Sequence, residues 1–156
     1  MCGETIPRTL TSRDHEMLDI DSLAVDPALS EEGTWADFMG AKFKIARGNS
    51  AKARHLSSKL FLENWDVLNA GGEDADKVAE AINVKVLANT VLLDWEGVTS
   101  GGKELKYSPE LGEKYLGDPR YPDLRQFIEN YSHNRSNYRE RAEQEVAESV
   151  KDSAAS

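Results

Sequence analysis

His15, His55 and His133 are the side chains best suited to hold a metal or move a proton near neutral pH. None has a Cys, His or acid partner at a metal-site spacing, so a bound metal is not expected. His55 shares a stretch with Ser57 and Ser58, a base beside two hydroxyls. Nothing there orients the base for a nucleophile. Asp19 and Asp21 open a calcium-loop pattern whose template needs Gly at the sixth position and Glu at the twelfth. Ala24 and Ser30 stand there instead. The pairs Gly71-Gly72 and Gly101-Gly102 lack the lysine and hydroxyl of a phosphate loop and read as turns. An enzyme would need a cleft assembled from dispersed acids such as Asp94, Glu96 and Glu110. With 28 acids in 156 residues, such neighbours are what a solvated surface supplies anyway. The sequence therefore predicts no catalytic residue, cofactor or metal site.

The bulk composition points the same way. A chain of this length fits one domain, and 39% apolar against 30% charged residues predicts a core that is thin or is completed by another chain. A homo-oligomer or a protein partner is expected. The formal charge of -9 argues against nucleic-acid binding, which needs clustered Lys and Arg. No stretch approaches the ~20 apolar residues of a membrane helix, and "MCGETIPRTLTSRDHE" has no apolar signal core, so a soluble intracellular protein is expected. Cys2, the one cysteine, cannot form an internal disulfide, in keeping with a reducing compartment; it reads as an exposed thiol.

The elements that would position any site follow from periodicity and caps. Residues 1–30 show neither strand nor helix period and read as an extended, mobile arm. "TWADFMGAKFKIAR" predicts a β-hairpin at about 34–47 with a turn at Gly40-Ala41. That register sets Phe38 opposite Phe43, Ala36 opposite Ile45 and Asp37 opposite Lys44. Asn49 or Ser50 then caps one helix carrying Leu56, Leu60, Trp65 and Leu68, which ends at Gly71-Gly72. "EDADKVAEAINVKVLANTVLLDW" predicts a central helix running to Trp95, apolar on two sides. Gly97 stops it, "KELKY" runs extended, and Ser108-Pro109-Glu110 starts a short helix ending at Gly117. Pro122 opens a last long helix, bent near His133-Asn134, whose stripe runs through Leu124, Phe127, Ile128, Tyr131, Tyr138, Ala142 and Val146. Its pairs Arg139–Glu143 and Arg141–Glu145 sit at helical spacing, and "KDSAAS" frays. The expected fold is mainly α with a small N-terminal β-hairpin (α+β), one domain over 31–150 and a disordered tail at 151–156. Trp35, Trp65 and Trp95 are evenly spaced, but their flanks do not match, so no repeat is inferred.

Trp95 and Tyr107 bracket a glycine break. They either anchor an interface or cap the core where the central helix turns over.

The order of four motifs, "GTWADFMGAKFKIARGN", "LLDWEGV", "KELKYSPE" and "FIENYSHNRSNYRERAEQE", resembles the tail assembly chaperones of long-tailed bacteriophages over roughly residues 18–150. The turn "VTSGGKEL" departs from the Asp-Gly turn of that family. The resemblance implies a non-catalytic factor of the host cell cytoplasm, absent from the mature virion. It would bind the tape measure protein and keep it soluble until tail tube (major tail) subunits polymerise around it. In many relatives a frameshifted longer form recruits the tube subunit. Exposed apolar surface held in solution by charge suits that task. The expected docking surface is Trp35, Phe38, Phe43, Ile45, Trp95, Tyr107, Phe127, Tyr131 and Tyr138. Two other non-catalytic readings fit the composition: a structural tail completion or connector protein, and a small acidic helical regulator of a host protein.

Overall fold

In the computed structural model, which describes residues 17–139, the expected hairpin forms from β1 (Thr34–Phe38) and β2 (Ala41–Ile45). Its turn is Met39-Gly40, with φ of 50° and 89°, the primed geometry that follows the twist of paired strands. The register pairs Ala36 with Phe43 and Asp37 with Lys42, two residues away from the expected pairing. A shift of two preserves the faces. Phe38 and Phe43 remain neighbours, now diagonal, with ring centroids 6.2 Å apart. Small Ala36 opposite Phe43 leaves room above the sheet for Phe127, which stacks on Phe38 at 4.4 Å.

The larger correction concerns the central helix. Helix α4 (Gly72–Val86) passes into a π-helical turn, Leu87–Val91, and then directly into a third strand, β3 (Leu92–Glu96). β3 pairs antiparallel with β2, giving the order β1-β2-β3. Side chains take over backbone acceptors where the helix ladder changes: Asn89 donates to the Lys85 carbonyl and Thr90 to that of Val86. The register slips at Lys44/Ile45, so Leu93 is an extra residue on β3 and both Leu92 and Trp95 face inward. Buried residues three apart mimic a helix face, which is why this strand reads as helix.

The single helix expected after Ser50 is two: α2 (Ala51–Glu63) and α3 (Trp65–Ala70). Ser50 caps α2 by accepting from the Ala53 N–H, and Asn64 breaks it by turning its amide back onto the Leu60 carbonyl. Beyond β3, "VTSGGKE" makes a minor hairpin of β4 (Thr99–Ser100) and β5 (Lys103–Glu104). Ser108 and Pro109 open α5 (Pro109–Leu116), which ends at Gly117, and Pro122 opens α6 (Pro122–His133), all as the sequence indicates. Instead of bending, α6 stops, and Asn134 caps a 3₁₀ turn at Arg135–Tyr138.

The part of residues 1–30 that is described is less extended than expected. Asp19 caps a 3₁₀ turn at Ile20–Leu23, and Asp26 caps α1 (Pro27–Glu32). The Asp26 N–H donates to the Tyr138 carbonyl, tying this segment to the end of the described chain. Cys2, His15, the earlier arm, the charge pairs beyond Arg139, Ala142, Val146 and "KDSAAS" lie outside the described residues. The fold is α+β, mainly helical, around one cluster in which the inner sheet face packs on the π turn, α5 and α6.

Two substitutions test this account. Met39→Asn puts the residue most tolerant of this turn's first position into an exposed site, and should raise stability by several tenths to about 1 kcal/mol in urea unfolding. Gly112→Ala should favour α5 by about 1 kcal/mol on helix propensity alone. Its new Cβ, however, would collide with the Tyr107 hydroxyl and lie 3.0 Å from the Ala88 Cβ. Net destabilisation of about 1–3 kcal/mol is expected.

Candidate functional site

The aromatic residues singled out from the sequence do come together, but inside the protein. Ring contacts run without a gap from Tyr107 to Trp95 (4.8 Å), Phe43 (6.2 Å), Phe127 (6.1 Å), Tyr131 (6.1 Å) and Tyr138 (6.1 Å). Each such pair adds about 0.5–1.5 kcal/mol beyond its burial. Phe43, Ile45, Trp95 and Tyr138 are buried, and Phe38, Tyr107, Phe127 and Tyr131 are half-buried. Of the expected docking residues only Trp35 is exposed, on the outer sheet face beside Lys44. Their burial has a plain cause: α6 and the π turn cover the sheet face that the hairpin alone would leave open.

The polar ends of these rings are satisfied internally. Trp95 Nε1–H donates to the Leu105 carbonyl, Tyr107 to that of Ala88 and Tyr138 to that of Ile45. Burial pushes the Tyr107 hydroxyl far above the ordinary tyrosine range, with the negative charges of Glu113, Asp94 and Glu110 adding to it. Burial does the same at Tyr138, with Tyr131 adding and Arg47 opposing. Both stay protonated as donors. Arg125 of α6 clamps Glu80 of α4 and holds that carboxyl below its usual range.

Large uncovered apolar side chains lie elsewhere, on Met17, Leu18, Ile20 and Leu23 ahead of α1 and, on regular helices, on α2 and α3. Ala53 is the one buried residue of α2, and α3 has none. Phe61 (39% exposed), Leu62 (74%), Trp65 (58%) and Val67 (41%) cluster where the two helices meet. The sequence sets Trp65 at helical spacing with Leu56, Leu60 and Leu68; those three are half-buried, whereas Trp65, just beyond the break at Asn64, is exposed. Grooves of about 580 and 520 Å³ flank α2, one toward Val86, Leu87 and Ser132, the other toward Lys85 and Asn89. His55 lies in the second groove, and His133 and Ser57 in the first. Among the described residues no group of three or more His, Cys, Asp or Glu is placed to hold a metal, and no helix is long and apolar enough to cross a membrane.

Charge sets apart the stretch that leads to this junction, while the junction itself carries Glu63 and Asp66. From Phe38 to Leu62 the chain has six Lys and Arg and no Asp or Glu, while the other 13 bases face all 28 acids. Lys42 and Lys44 lie on the outer sheet face between Asp37, Asp94 and Glu96 in rows of alternating sign. Lys52, Arg54 and Lys59 on α2 join none of the ion pairs among the described residues. The acid-free run, together with "LFL" at 60–62, is the sequence signal that identifies this helix.

The pattern of a family described as YdaY prophage protein matches residues 41–149, from β2 through the exposed helices and past α6. The chain belongs to the YdaY prophage protein family. It is thus a phage-derived protein. No curated protein and no solved structure matches it. The stretch shared with the YdaY family includes the whole uncovered helix pair, whereas β1 and α1 fall outside it.

Exposed and buried aromatics should therefore respond in opposite ways. Phe61→Ser with Trp65→Ser is expected to leave the unfolding free energy within about 1 kcal/mol while lowering the binding of a hydrophobic dye. Trp95→Ala should cost about 3–5 kcal/mol.

Proposed function

We propose that this YdaY-family protein is a tail assembly chaperone that acts without catalysis, binding the tape measure protein through α2 and α3 and keeping it soluble during tail morphogenesis. One observation carries the reading. A phage-derived chain leaves Phe61, Leu62, Trp65 and Val67 uncovered at the junction of two helices that contribute almost nothing to its own core. Side chains of this size lose apolar contact with water only by meeting another polypeptide, and a helix-in-groove contact uses such anchors at helical spacing. The grooves beside α2 supply the concave part of such a contact. The motif order supports the tape measure protein as the partner, with tail tube subunits recruited in turn, self-association through the same face, action in the host cytoplasm and release before the virion is complete.

Phe127 and Tyr131 are half-buried members of the ring chain and do not offer a clean test of binding. Polar residues there would unpack the ring chain, and loss of binding would report unfolding.

Co-expression with the neighbouring tape measure gene tests the proposal. The tape measure product is expected in the soluble fraction and to co-purify with the wild-type chain. Phe61→Ser with Trp65→Ser should reduce the co-purified amount at least tenfold, the effect of losing about 1.4 kcal/mol of contact or more. A tape measure product that stays insoluble beside the wild-type chain rejects the reading.

A further inference from the structure

A pocket of about 210 Å³ lies beside β4, away from the grooves along α2. Phe43, Trp95, Tyr115 and Tyr121 give its wall four rings, and Thr99 and Ser100 border it. Aliphatic carbon from Val98, Leu105 and Leu124 completes the lining. The polar groups of that wall are engaged within the protein: Trp95 Nε1–H donates to the Leu105 carbonyl, and the Leu105 N–H donates to that of Val98. Water, which needs two to four polar partners, gains little in such a place. An apolar cavity of about 150 Å³ takes one benzene ring. The larger volume here suits a single ring up to about the size of indole.

Charge restricts that ring. Lys114 Nζ lies 5.4 Å from the centroid of the Tyr115 ring, and Arg120 Cζ lies 5.4 Å from that of Tyr121. Both rings already have a cation at their π systems, so a further cation is repelled. An anion would lose its water against carbon. The ring that enters is therefore neutral.

The border of the pocket indicates what carries the ring. Thr99, Ser100 and Tyr121 are exposed. Ser100 pairs with Lys103 across the Gly101-Gly102 turn, and the next bonded pair is Val98 with Leu105. Bonded and non-bonded pairs alternate in an antiparallel ladder. Thr99, between those two, thus turns its N–H and C=O away from β5. A free ring has no use for these groups, whereas an extended peptide bonds to such an edge and places a side chain in the adjoining pocket. We propose that the pocket receives one neutral aromatic side chain, such as Phe or Trp, from an extended segment of another polypeptide whose main chain pairs with Thr99. The pocket shares no residue with α2 or α3, so this site does not rest on the chaperone reading.

N-acetyl-tryptophan N-methylamide, a ring with two main-chain amides, tests the site on the full chain against free indole. Nuclear Overhauser effects from the probe's ring protons to the methyl groups of Val98, Leu105 and Leu124 are expected. The dissociation constant should be on the order of 1 mM, with indole roughly threefold weaker or more. Leu124→Phe fills the pocket and should weaken the amide about tenfold. If that variant fails to fold, Leu124→Ala enlarges the pocket instead and should make the naphthylalanine analogue of the amide the tighter ligand. Thr99→Pro removes the outward N–H and leaves the β4–β5 bonds in place. It should bring the amide to the affinity of indole without changing that of indole. Effects that are absent at the three methyl-bearing residues, or that appear only at Leu62 and Val67, overturn the inference. Indole binding as tightly as the amide also overturns it, marking a small-molecule pocket. Shifts at these methyls that follow protein concentration alone do so too, marking a second copy of the chain. Because no phage protein enters the experiment, its failure leaves the co-expression result untouched.

Discussion

Trp95 is held at both ends. Its ring meets Phe43 and Tyr107 edge-on, and its Nε1–H is taken by the Leu105 carbonyl. For the ring to reach that position the chain must leave the helix at Val91 and enter the sheet with one extra residue at Leu93. The third strand, the cover over the hairpin and the placement of the β4–β5 turn all depend on that exit. A tryptophan with an unmet N–H in the interior would lose a bond worth about 1 kcal/mol and carry a desolvation cost besides. The Leu105 carbonyl thus fixes where the following segment runs. Tyr107 repeats the device on the Ala88 carbonyl, and Gly112 is without a side chain because the Tyr107 hydroxyl occupies that space.

This arrangement divides the protein into two unequal sides. The sheet, the π turn, α5 and α6 hold most of the large buried apolar residues, and the ring contacts that join them are continuous. The helix pair α2–α3 receives what is left: alanine against the body and aromatic and aliphatic residues outward. The same division appears in charge, with bases concentrated in the stretch from Phe38 to Leu62 and acids elsewhere. The uncovered apolar residues sit beside Glu63 and Asp66, with the bases Lys52, Arg54 and Lys59 further toward the start of α2, so a partner there meets both signs of charge.

Much of the fold was legible because its signals are local. Ser50, Ser108-Pro109, Pro122 and Gly117 mark element ends through hydrogen-bond and dihedral requirements that do not depend on distant residues. The hairpin's faces were readable even though its register was off by two, since alternation survives an even shift. β3 was not readable. Its bulge gives Leu92 and Trp95 the spacing of a helix face, and β2, the strand that captures it, lies nearly fifty residues earlier in the sequence. The ring chain was recognised as a group yet placed on the outside, because core and interface draw on the same side chains and only the position of α6 decides between them. Phe61 and Leu62 were passed over because Asn64 breaks the helix just beyond them, and a break cannot be inferred from a stripe.

The passage from α4 to β3 has a mechanical corollary. No loop intervenes between them, so the helix, its widened last turn and the strand form one strut. α3 joins α4 at Gly71 and Gly72, where positive φ values make a sharp corner. A pull applied at the Trp65 end meets first the packing of α3 on α4 at that corner. Once that packing gives, the load passes along α4 straight into the hydrogen bonds between β3 and β2.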